Sequence, residues 1–136
     1  LVQRTRQYIE QHIDEYFVYE IDDSVIGCAC LRKFADKRIM EVGSVYVQSF
    51  YQDRGVGKKL VEYAELKAAE AGAAKLFALT TQSHAFFRSV CGFDDGTLED
   101  LPRERRAEVK NNGRNSRILL KRLAAGRPRV SRKKSA

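Results

Sequence analysis

The chain has 136 residues, of which 43% are hydrophobic and 32% are charged. This composition suits one folded domain with a modest core and argues against wholesale disorder. No apolar run approaches the roughly 20 residues that cross a bilayer, and no apolar signal-type segment follows a basic start, so we predict no membrane partner. The first third of the chain then predicts an amphipathic helix over 3–16, strands over 17–20 and 25–31 joined by an acidic turn, and a third strand over 41–47.

The rest of the chain predicts a crossover unit. A helix over 58–71 has one apolar face and ends at Gly72, and a short apolar strand follows over 75–79. Strand, helix and strand in this order imply a parallel pair with a right-handed crossover. Further elements are predicted as helices over 83–90 and 102–110 and a last strand over 116–123. We therefore predict an α/β chain of the α+β type, with a mixed central β-sheet flanked by helices, and leave the strand order open.

The net charge of +7 is unevenly distributed. Residues 124–136 hold five basic residues and no acid, which leaves about +2 for the rest of the chain. We predict a folded domain over 1–123 and a basic disordered tail over 124–136. Nucleic-acid contact by the tail is the less favoured interpretation, because no aromatic residue alternates with the charges to stack on bases.

Three cysteines, an odd number, are Cys28, Cys30 and Cys91. The spacing of the first two puts both thiols on one face of a strand, inside an apolar run. No Cys-x-x-Cys pair or suitably spaced histidine supports a zinc site, so we predict no metal. Buried free thiols in a reducing cytoplasm are the favoured interpretation.

The turn Gln52–Gly57 lies between a predicted strand and a predicted helix and contains two glycines. Backbone N–H groups at a helix start lack intrahelical partners and have the positive end of the helix dipole behind them, so such a turn can hold a phosphate. The sequence has neither the G-x-G-x-x-G pattern of dinucleotide-binding proteins nor the G-x-x-x-x-G-K-[ST] pattern of P-loop proteins. The turn alone therefore predicts a phosphate-bearing ligand without naming it.

The Gln-x-x-Gly-x-Gly pattern of this turn resembles the acetyl-CoA loop of the GCN5-related N-acetyltransferases (GNAT superfamily). The later Phe-Phe-x-x-x-x-Gly-Phe segment, starting at Phe86, resembles a second cofactor motif of that superfamily. The resemblance implies acetyl-CoA as cosubstrate. It implies that backbone amides hold the pyrophosphate at Gln52, Asp53, Arg54, Gly55, Val56, Gly57 and Lys58. It also implies that the pantetheine pairs with the backbone of Val45, Tyr46 and Val47.

A narrower resemblance covers residues 17–123. The stretches 41–47, 79–81, 100–106 and 113–119 are similar to the acetyltransferase domain of bacterial N-acetylglutamate synthases. The resemblance implies acetyl transfer to the α-amine of L-glutamate, in arginine biosynthesis. It also implies that the domain stands alone or is fused to an amino-acid-kinase-like domain or to argininosuccinate lyase. The sequence leaves open whether the protein forms a homo-oligomer.

The same resemblance suggests roles for individual side chains. Glu41 is the candidate base that takes a proton from the acceptor ammonium, and Ser83 or a water is the candidate acid for the leaving thiolate. A base of this kind needs burial or a water chain, because an exposed glutamate has a pKa near ~4.3. Candidates for the glutamate-binding residues are Arg114, Ser116 and Arg32. The alternative interpretations are a strand-end surface carboxylate for Glu41, ordinary surface positions for the arginines, hydrogen bonding at the start of a strand for Ser116, and a plain helix-surface lysine for Lys58.

Several features depart from the superfamily pattern. Ser49 stands where a proline is usual, and neither Phe87 nor Arg88 can act as the tyrosine acid of many members. One extra residue lies between Phe87 and Gly92. The chain begins at Leu1, and the first strand and helix of the fold are expected before residue 3, so we predict a truncated fragment.

Other functions stay open at this stage. An acetyltransferase for another small amine or amino acid would keep the same cofactor site. A non-catalytic acetyl-CoA-binding regulatory module would bind without turnover. A nucleic-acid-binding module would depend on the basic tail.

Overall fold

The structure is a computed structural model that describes residues 6–124, so nearly all of the predicted basic tail lies outside the described residues. The helices are α1 (Arg6–Gln11), α2 (Val56–Glu70) and α3 (Arg103–Asn112). The strands are β1 (Tyr16–Ile21), β2 (Ser24–Arg32), β3 (Ile39–Val47), β4 (Lys75–Thr80), β5 (Asp94–Asp95) and β6 (Arg117–Arg122). Within residues 6–124, no helix combines the length and the apolar character needed to cross a membrane.

The strands form one mixed sheet in the order β1-β2-β3-β4-β6-β5. Strands β3 and β4 are parallel and the other neighbouring pairs are antiparallel. The predicted hairpin, the predicted crossover through α2 and the predicted fold class are therefore confirmed. The order itself, with β6 inserted between β4 and β5, was not predictable from the patterns.

Strands β3 and β4 pair only where they begin. Ile39, Met40 and Glu41 lie opposite residues 75–77, and the pairing stops there although β3 continues to Val47. Burial along β3 falls in the same direction, from buried at residues 39–42 to partly or fully exposed at 43–47. The two parallel strands thus separate at their carboxyl ends and leave a wedge-shaped opening in the sheet.

A β-bulge in β3 lies at the start of this opening. Cys28 pairs with Tyr46, but Cys30 pairs with Gly43, so β3 has one more residue than β2 over this stretch. Ser44 has a φ of 52°, in the left-handed region that few non-glycine residues adopt. A bulge bends its strand and redirects backbone groups, and here it does so at the edge of the opening.

Helix α2 packs on one face of the sheet through a stripe of apolar residues, two of which are alanines. Leu60, Val61, Ala64 and Ala68 are buried against the strands. At Gly27 of β2 an added Cβ would lie 2.9 Å from the Tyr46 carbonyl oxygen and 3.2 Å from Leu60 Cδ1. The absence of a side chain at this position allows α2, β2 and β3 to approach closely.

The predicted N-terminal helix is wrong in its second half. The helix ends at Gln11, a 3₁₀ turn follows at Ile13–Glu15, and β1 already begins at Tyr16. Tyr16 pairs with Cys30 of β2. Pairing in the hairpin therefore outweighs the helical spacing of the apolar residues.

The predicted helix over 83–90 contains a π-helical turn at Phe86–Val90. The Cys91 amide donates to the Phe86 carbonyl at 3.1 Å, five residues back, instead of the usual four. A π turn accommodates one additional residue in a helix. Such a turn would accommodate the extra residue that the resemblance predicts between Phe87 and Gly92.

Candidate active site

The opening between β3 and β4 is a cleft of about 280 Å³. Its walls come from the end of β3, from the end of β4 and the residues that follow it (79–83), and from side chains of α3 and of the turn before β6. The carboxyl ends of parallel strands are common positions for ligands in α/β sheets. The cleft has two chemically different sides, one formed mainly by backbone and one formed by charged side chains.

The backbone side comprises Val45, Tyr46 and Val47, all of which line the cleft. In the described part of the chain β3 no longer pairs with β4 at these positions. An extended ligand can hydrogen-bond to such a strand edge as an added strand would. This arrangement suits the pantetheine role that the resemblance implied for these residues.

The glycine turn lies beyond this edge, at the start of α2. Gly55 directly precedes the helix with a φ of 82°, a conformation that glycine adopts without steric cost. The amides of Val56, Gly57 and Lys58 belong to the first turn of this 15-residue helix, where intrahelical acceptors are lacking. Asp53 also has a positive φ, of 63°. A helix start of this geometry can hold an anion.

Gln52 has a different place from its neighbours in the turn. Its backbone amide donates to the Ser49 carbonyl at 3.2 Å, and its side-chain amide donates to the Val47 carbonyl at 3.1 Å. Gln52 therefore braces the turn against the end of β3, and its backbone amide is already engaged. Ser49 begins a 3₁₀ turn over Ser49–Tyr51, so the turn forms with serine at the usual proline position. Gln52 lines the cleft, whereas Asp53, Arg54, Gly55, Val56, Gly57 and Lys58 lie beyond its lining.

The charged side of the cleft is organised around Glu41. The interpretation of Glu41 as a surface carboxylate is wrong, because the residue is only 7% exposed. Arg105 donates from Nε to Oε1 at 2.9 Å and from Nη2 to Oε2 at 3.2 Å. Burial raises the pKa of Glu41, and the Arg105 guanidinium opposes this rise.

Arg32 lines the cleft and is held by a second acidic residue. Its Nη1 and Nη2 donate to the two carboxylate oxygens of Glu108 at 3.0 and 2.8 Å. The guanidinium also lies 4.7 Å from the centre of the Phe34 ring. Glu108 accepts a further hydrogen bond from Arg105 Nη1 at 2.9 Å. A substrate carboxylate at Arg32 would therefore share this arginine with Glu108.

Sequence reasoning did not select Arg105 or Glu108 as site residues. They lie three residues apart on α3, a helix whose sequence is so polar that it predicts an exposed surface helix. The sequence feature that could have indicated Arg105 is the Arg105-Arg106 pair, which lies inside a stretch similar to N-acetylglutamate synthases. Arg105 lines the cleft with a side chain that is only 15% exposed.

The remaining predicted residues also reach the cleft. Arg114 and Ser116, in the connection from α3 to β6, line it, as does Ser83 after β4. Asn112 Oδ1 accepts the Arg114 amide at 2.8 Å, and the Ser83 amide donates to Thr80 Oγ1 at 2.7 Å. Both connections are thus fixed by short side-chain hydrogen bonds. The structure brings together candidates that lie far apart in the sequence.

A tyrosine acid is absent at the expected place. Phe87 lines the cleft and is buried, and its ring packs edge-on against Phe93 with centroids 5.3 Å apart. A phenyl ring cannot donate a proton to a leaving thiolate. The three cysteines form no disulfide within residues 6–124. Cys91 is buried and Cys28 and Cys30 are half-buried, which partly confirms the predicted burial. Among residues 6–124 no cluster of His, Cys, Asp and Glu is suited to a metal ion.

A parallel strand pair that separates beside a bulge, followed by a glycine turn at a helix start, is the arrangement expected of a protein that binds an extended, phosphate-bearing ligand. The sequence profile of the Acetyltransferase (GNAT) family matches residues 2–93. The chain therefore belongs to the GNAT family of acetyltransferases, as the motifs predicted.

Individual relatives are also similar. An amino-acid acetyltransferase of Neisseria meningitidis is 38% identical over 90% of this chain, and one of Aeromonas salmonicida is 36% identical over 91%. The N-acetylglutamate synthase of Neisseria gonorrhoeae, solved with coenzyme A and N-acetyl-glutamate, is 38% identical with a TM-score of 0.86 over 90% of this chain. This chain spans 28% of the length of the two curated relatives and 29% of the solved chain.

Proposed function

We propose that this chain is the acetyltransferase domain of an N-acetylglutamate synthase, which transfers the acetyl group of acetyl-CoA to the α-amine of L-glutamate. The observation that carries the proposal is the charged side of the cleft. There a buried carboxylate, Glu41, lies among arginines that face the same opening as the free edge of β3. Arginine forks suit carboxylates, and glutamate has two.

The backbone side supports acetyl-CoA as the donor. Its pantetheine would pair along Val45–Val47, and its pyrophosphate would lie on the amides of residues 53–58. Backbone amides of this edge would stabilise the oxyanion of a tetrahedral intermediate. The names of the similar proteins, one of which was solved with coenzyme A, favour the same donor.

The charged side supports the amine acceptor. The ammonium of glutamate must lose one proton before nitrogen attacks the thioester carbonyl. Glu41 accepts that proton, directly or through a water chain, and its raised pKa brings it closer to the task. A C–N bond forms, the nitrogen loses its second proton to water, the C–S bond breaks, and the thiolate leaves.

The leaving group needs little acid. A thiol has a pKa near ~8.5, so a thiolate departs readily at neutral pH. Ser83 lies on the cleft wall and can supply the proton, and so can a water. The phenyl ring of Phe87 is therefore compatible with turnover. Direct transfer in a ternary complex suits a cleft whose two sides face each other.

Carboxylate recognition falls to three residues in the proposal. Arg114 and Ser116 would hold one carboxylate of glutamate and Arg32 the other. The place of the reaction in arginine biosynthesis, a cytoplasmic location and fusion to an amino-acid-kinase-like or argininosuccinate lyase domain are further parts of the proposal, supported by the resemblance.

The test is release of free CoA, measured with a thiol reagent, from the full chain with acetyl-CoA and L-glutamate. We expect release that depends on glutamate and is much weaker with glutamine or aspartate, which lack the second carboxylate or place it differently. N-acetyl-glutamate should appear in equal amount by mass spectrometry. Release with another amine but not with glutamate would contradict the proposal.

A non-catalytic acetyl-CoA-binding module is the second candidate. It is favoured by one observation: Arg32 and Glu41, two of the proposed reacting and binding groups, are both occupied by ion pairs. Calorimetric binding of acetyl-CoA without acetyl transfer to any amine of a panel would support this candidate over the enzyme.

A further inference from the structure

Four charged side chains form a continuous chain beside the cleft. Glu41 of β3 pairs with Arg105 of α3, Arg105 also pairs with Glu108 of α3, and Glu108 pairs with Arg32 of β2. Five hydrogen bonds of 2.8–3.2 Å join the four side chains. Two positive and two negative groups balance, so these four side chains together carry no net charge. Its two ends, Arg32 and Glu41, are directly opposite residues on neighbouring strands.

Each guanidinium in this chain is fixed at more than one atom. Arg105 uses Nε and Nη2 on Glu41 and Nη1 on Glu108. Glu108 Oε1 accepts from both arginines, and its Oε2 accepts from Arg32. Glu108 therefore screens two neighbouring cations from each other and fixes the orientation of both. A planar fork held at several points loses its rotational freedom.

We propose that Arg105 and Glu108 are positioning residues of the acceptor site. Arg105 orients the Glu41 carboxylate toward the acceptor amine, and Glu108 orients the Arg32 guanidinium toward an acceptor carboxylate. This proposal rests on the proposed function, because it assigns the two ends of the chain to the two ends of a bound amino acid. Both residues act through their partners and make no contact with the reacting atoms.

Donor and acceptor capacity supports this division. A guanidinium has five N–H donors, and the pair with Glu108 takes two of those on Arg32. A carboxylate has about four lone-pair sites, and Arg105 takes two of those on Glu41. Each end of the chain therefore keeps capacity for the substrate while its orientation is fixed from behind.

The charges around Glu41 give Arg105 a measurable effect. Glu41 is faced by Arg105 and Glu108 from α3 and by Arg32 from β2, while its neighbour on β4 is the apolar Phe77. Without Arg105, burial and the charge of Glu108 both favour the protonated form. The acid limb of the pH-rate profile should then move to higher pH.

The experiment compares steady-state kinetics of the full chain with the variants Arg105→Gln, Arg105→Lys and Glu108→Gln. For Arg105→Gln we expect the acid limb of kcat to move up by about one pH unit. Arg105→Lys keeps the charge but loses the fork, so its acid limb should stay near that of wild type while its kcat falls, because Glu41 is no longer held at two points. For Glu108→Gln we expect KM for glutamate to rise about tenfold, with kcat and KM for acetyl-CoA within about twofold.

Matched controls separate position from charge. Arg103→Gln removes the same charge from an exposed site on α3, and Glu70→Gln removes an exposed, ion-paired glutamate on α2. Both should leave pH profile and KM unchanged. If Arg105→Gln does not fold, as judged by circular dichroism, the comparison of Arg105→Lys with wild type decides, since a wild-type KM and kcat for the lysine variant would contradict a need for the fork.

Other outcomes overturn the proposal directly. An unchanged acid limb in Arg105→Gln would remove Arg105 from the site, and equal loss of affinity for both substrates in Glu108→Gln would indicate a structural role only. Failure of the proposed function is distinguishable, because then wild type itself would show no glutamate-dependent release of CoA.

Discussion

The proposed function gives the cleft a donor side and an acceptor side that would recognise their ligands by different means. The donor side is the β3 edge, with the first turn of α2 beyond it, and the groups it offers are main-chain amides and carbonyls. The acceptor side consists of β2, the start of β3, α3 and the turn before β6, where the binding groups are arginine and glutamate side chains. On the donor side, the glycine at position 55 permits the turn and the Gln52 side chain braces it against the end of β3.

This difference determines how each side responds to substitution. Main-chain groups persist when side chains change, so the donor side depends on backbone geometry and close packing. The acceptor side depends on individual charges, each of which is held by another. Substitutions on the acceptor side should therefore change kinetics, and those on the donor side should change stability and cofactor affinity together.

The largest expected effect is that of Glu41→Gln, which removes the proposed base. We expect kcat to fall by about 100-fold or more. The amide also leaves Arg105 without its charged partner. The control is Glu65→Gln, since Glu65 is a partly buried glutamate paired with Lys121 at 3.1 Å and lies on α2, away from the cleft. A kcat within about threefold of wild type for Glu41→Gln would place the base elsewhere.

The next effect concerns the acceptor carboxylate. Arg114→Ala removes a charge-assisted contact, so KM for glutamate should rise about 10- to 100-fold while KM for acetyl-CoA stays near its wild-type value. Arg117→Ala, at an exposed position of β6, is the matched control. If Arg114→Ala weakened both substrates equally, the division between the two sides would not hold.

The donor side is tested by Gly27→Ala. The new methyl group would lie 2.9 Å from the Tyr46 carbonyl and must displace the end of β3 or α2. We expect a loss of about 1–3 kcal/mol in the free energy of unfolding, together with weaker binding of acetyl-CoA. Urea denaturation and calorimetry measure the two effects. Gly43→Ala is the stability control, because its Cβ would meet only Cys30 Sγ at 3.8 Å.

The smallest effect is the pH dependence of stability. The Arg32 guanidinium lowers the pKa of Glu108, so Glu108 stabilises the fold above its unfolded pKa of ~4.3 and loses this contribution as the pH falls through its folded pKa. Glu41 has the opposite sign, because its raised pKa favours the folded state as the pH falls toward ~4.3. Below pH ~4.3 the free energy of unfolding of Glu108→Gln should fall less steeply with pH than that of wild type, by less than about 1 kcal/mol in total. A steeper acid transition in the variant would contradict this sign.

The sequence predicted the donor side more fully than the acceptor side. The crossover and the turn Gln52–Gly57 follow from local rules of glycine conformation and helix starts. The pairing of Glu41 with Arg105 joins residues that are 64 positions apart, and no local pattern expresses it. The helix predicted through Tyr16 failed for a related reason, since the competing strand partner, Cys30, lies in a distant segment.

The π-helical turn at Phe86–Val90 has a consequence for how this fold tolerates changes in length. An additional residue is contained within one widened turn, so Phe93 still reaches its buried position and its amide still meets the Phe87 carbonyl at 2.9 Å. Insertions near a binding cleft usually displace everything downstream. Here the widened turn takes up the change in length. Removing one residue at Ser89 should convert the turn to ordinary α-helix and leave the register of β6 against β4 unchanged.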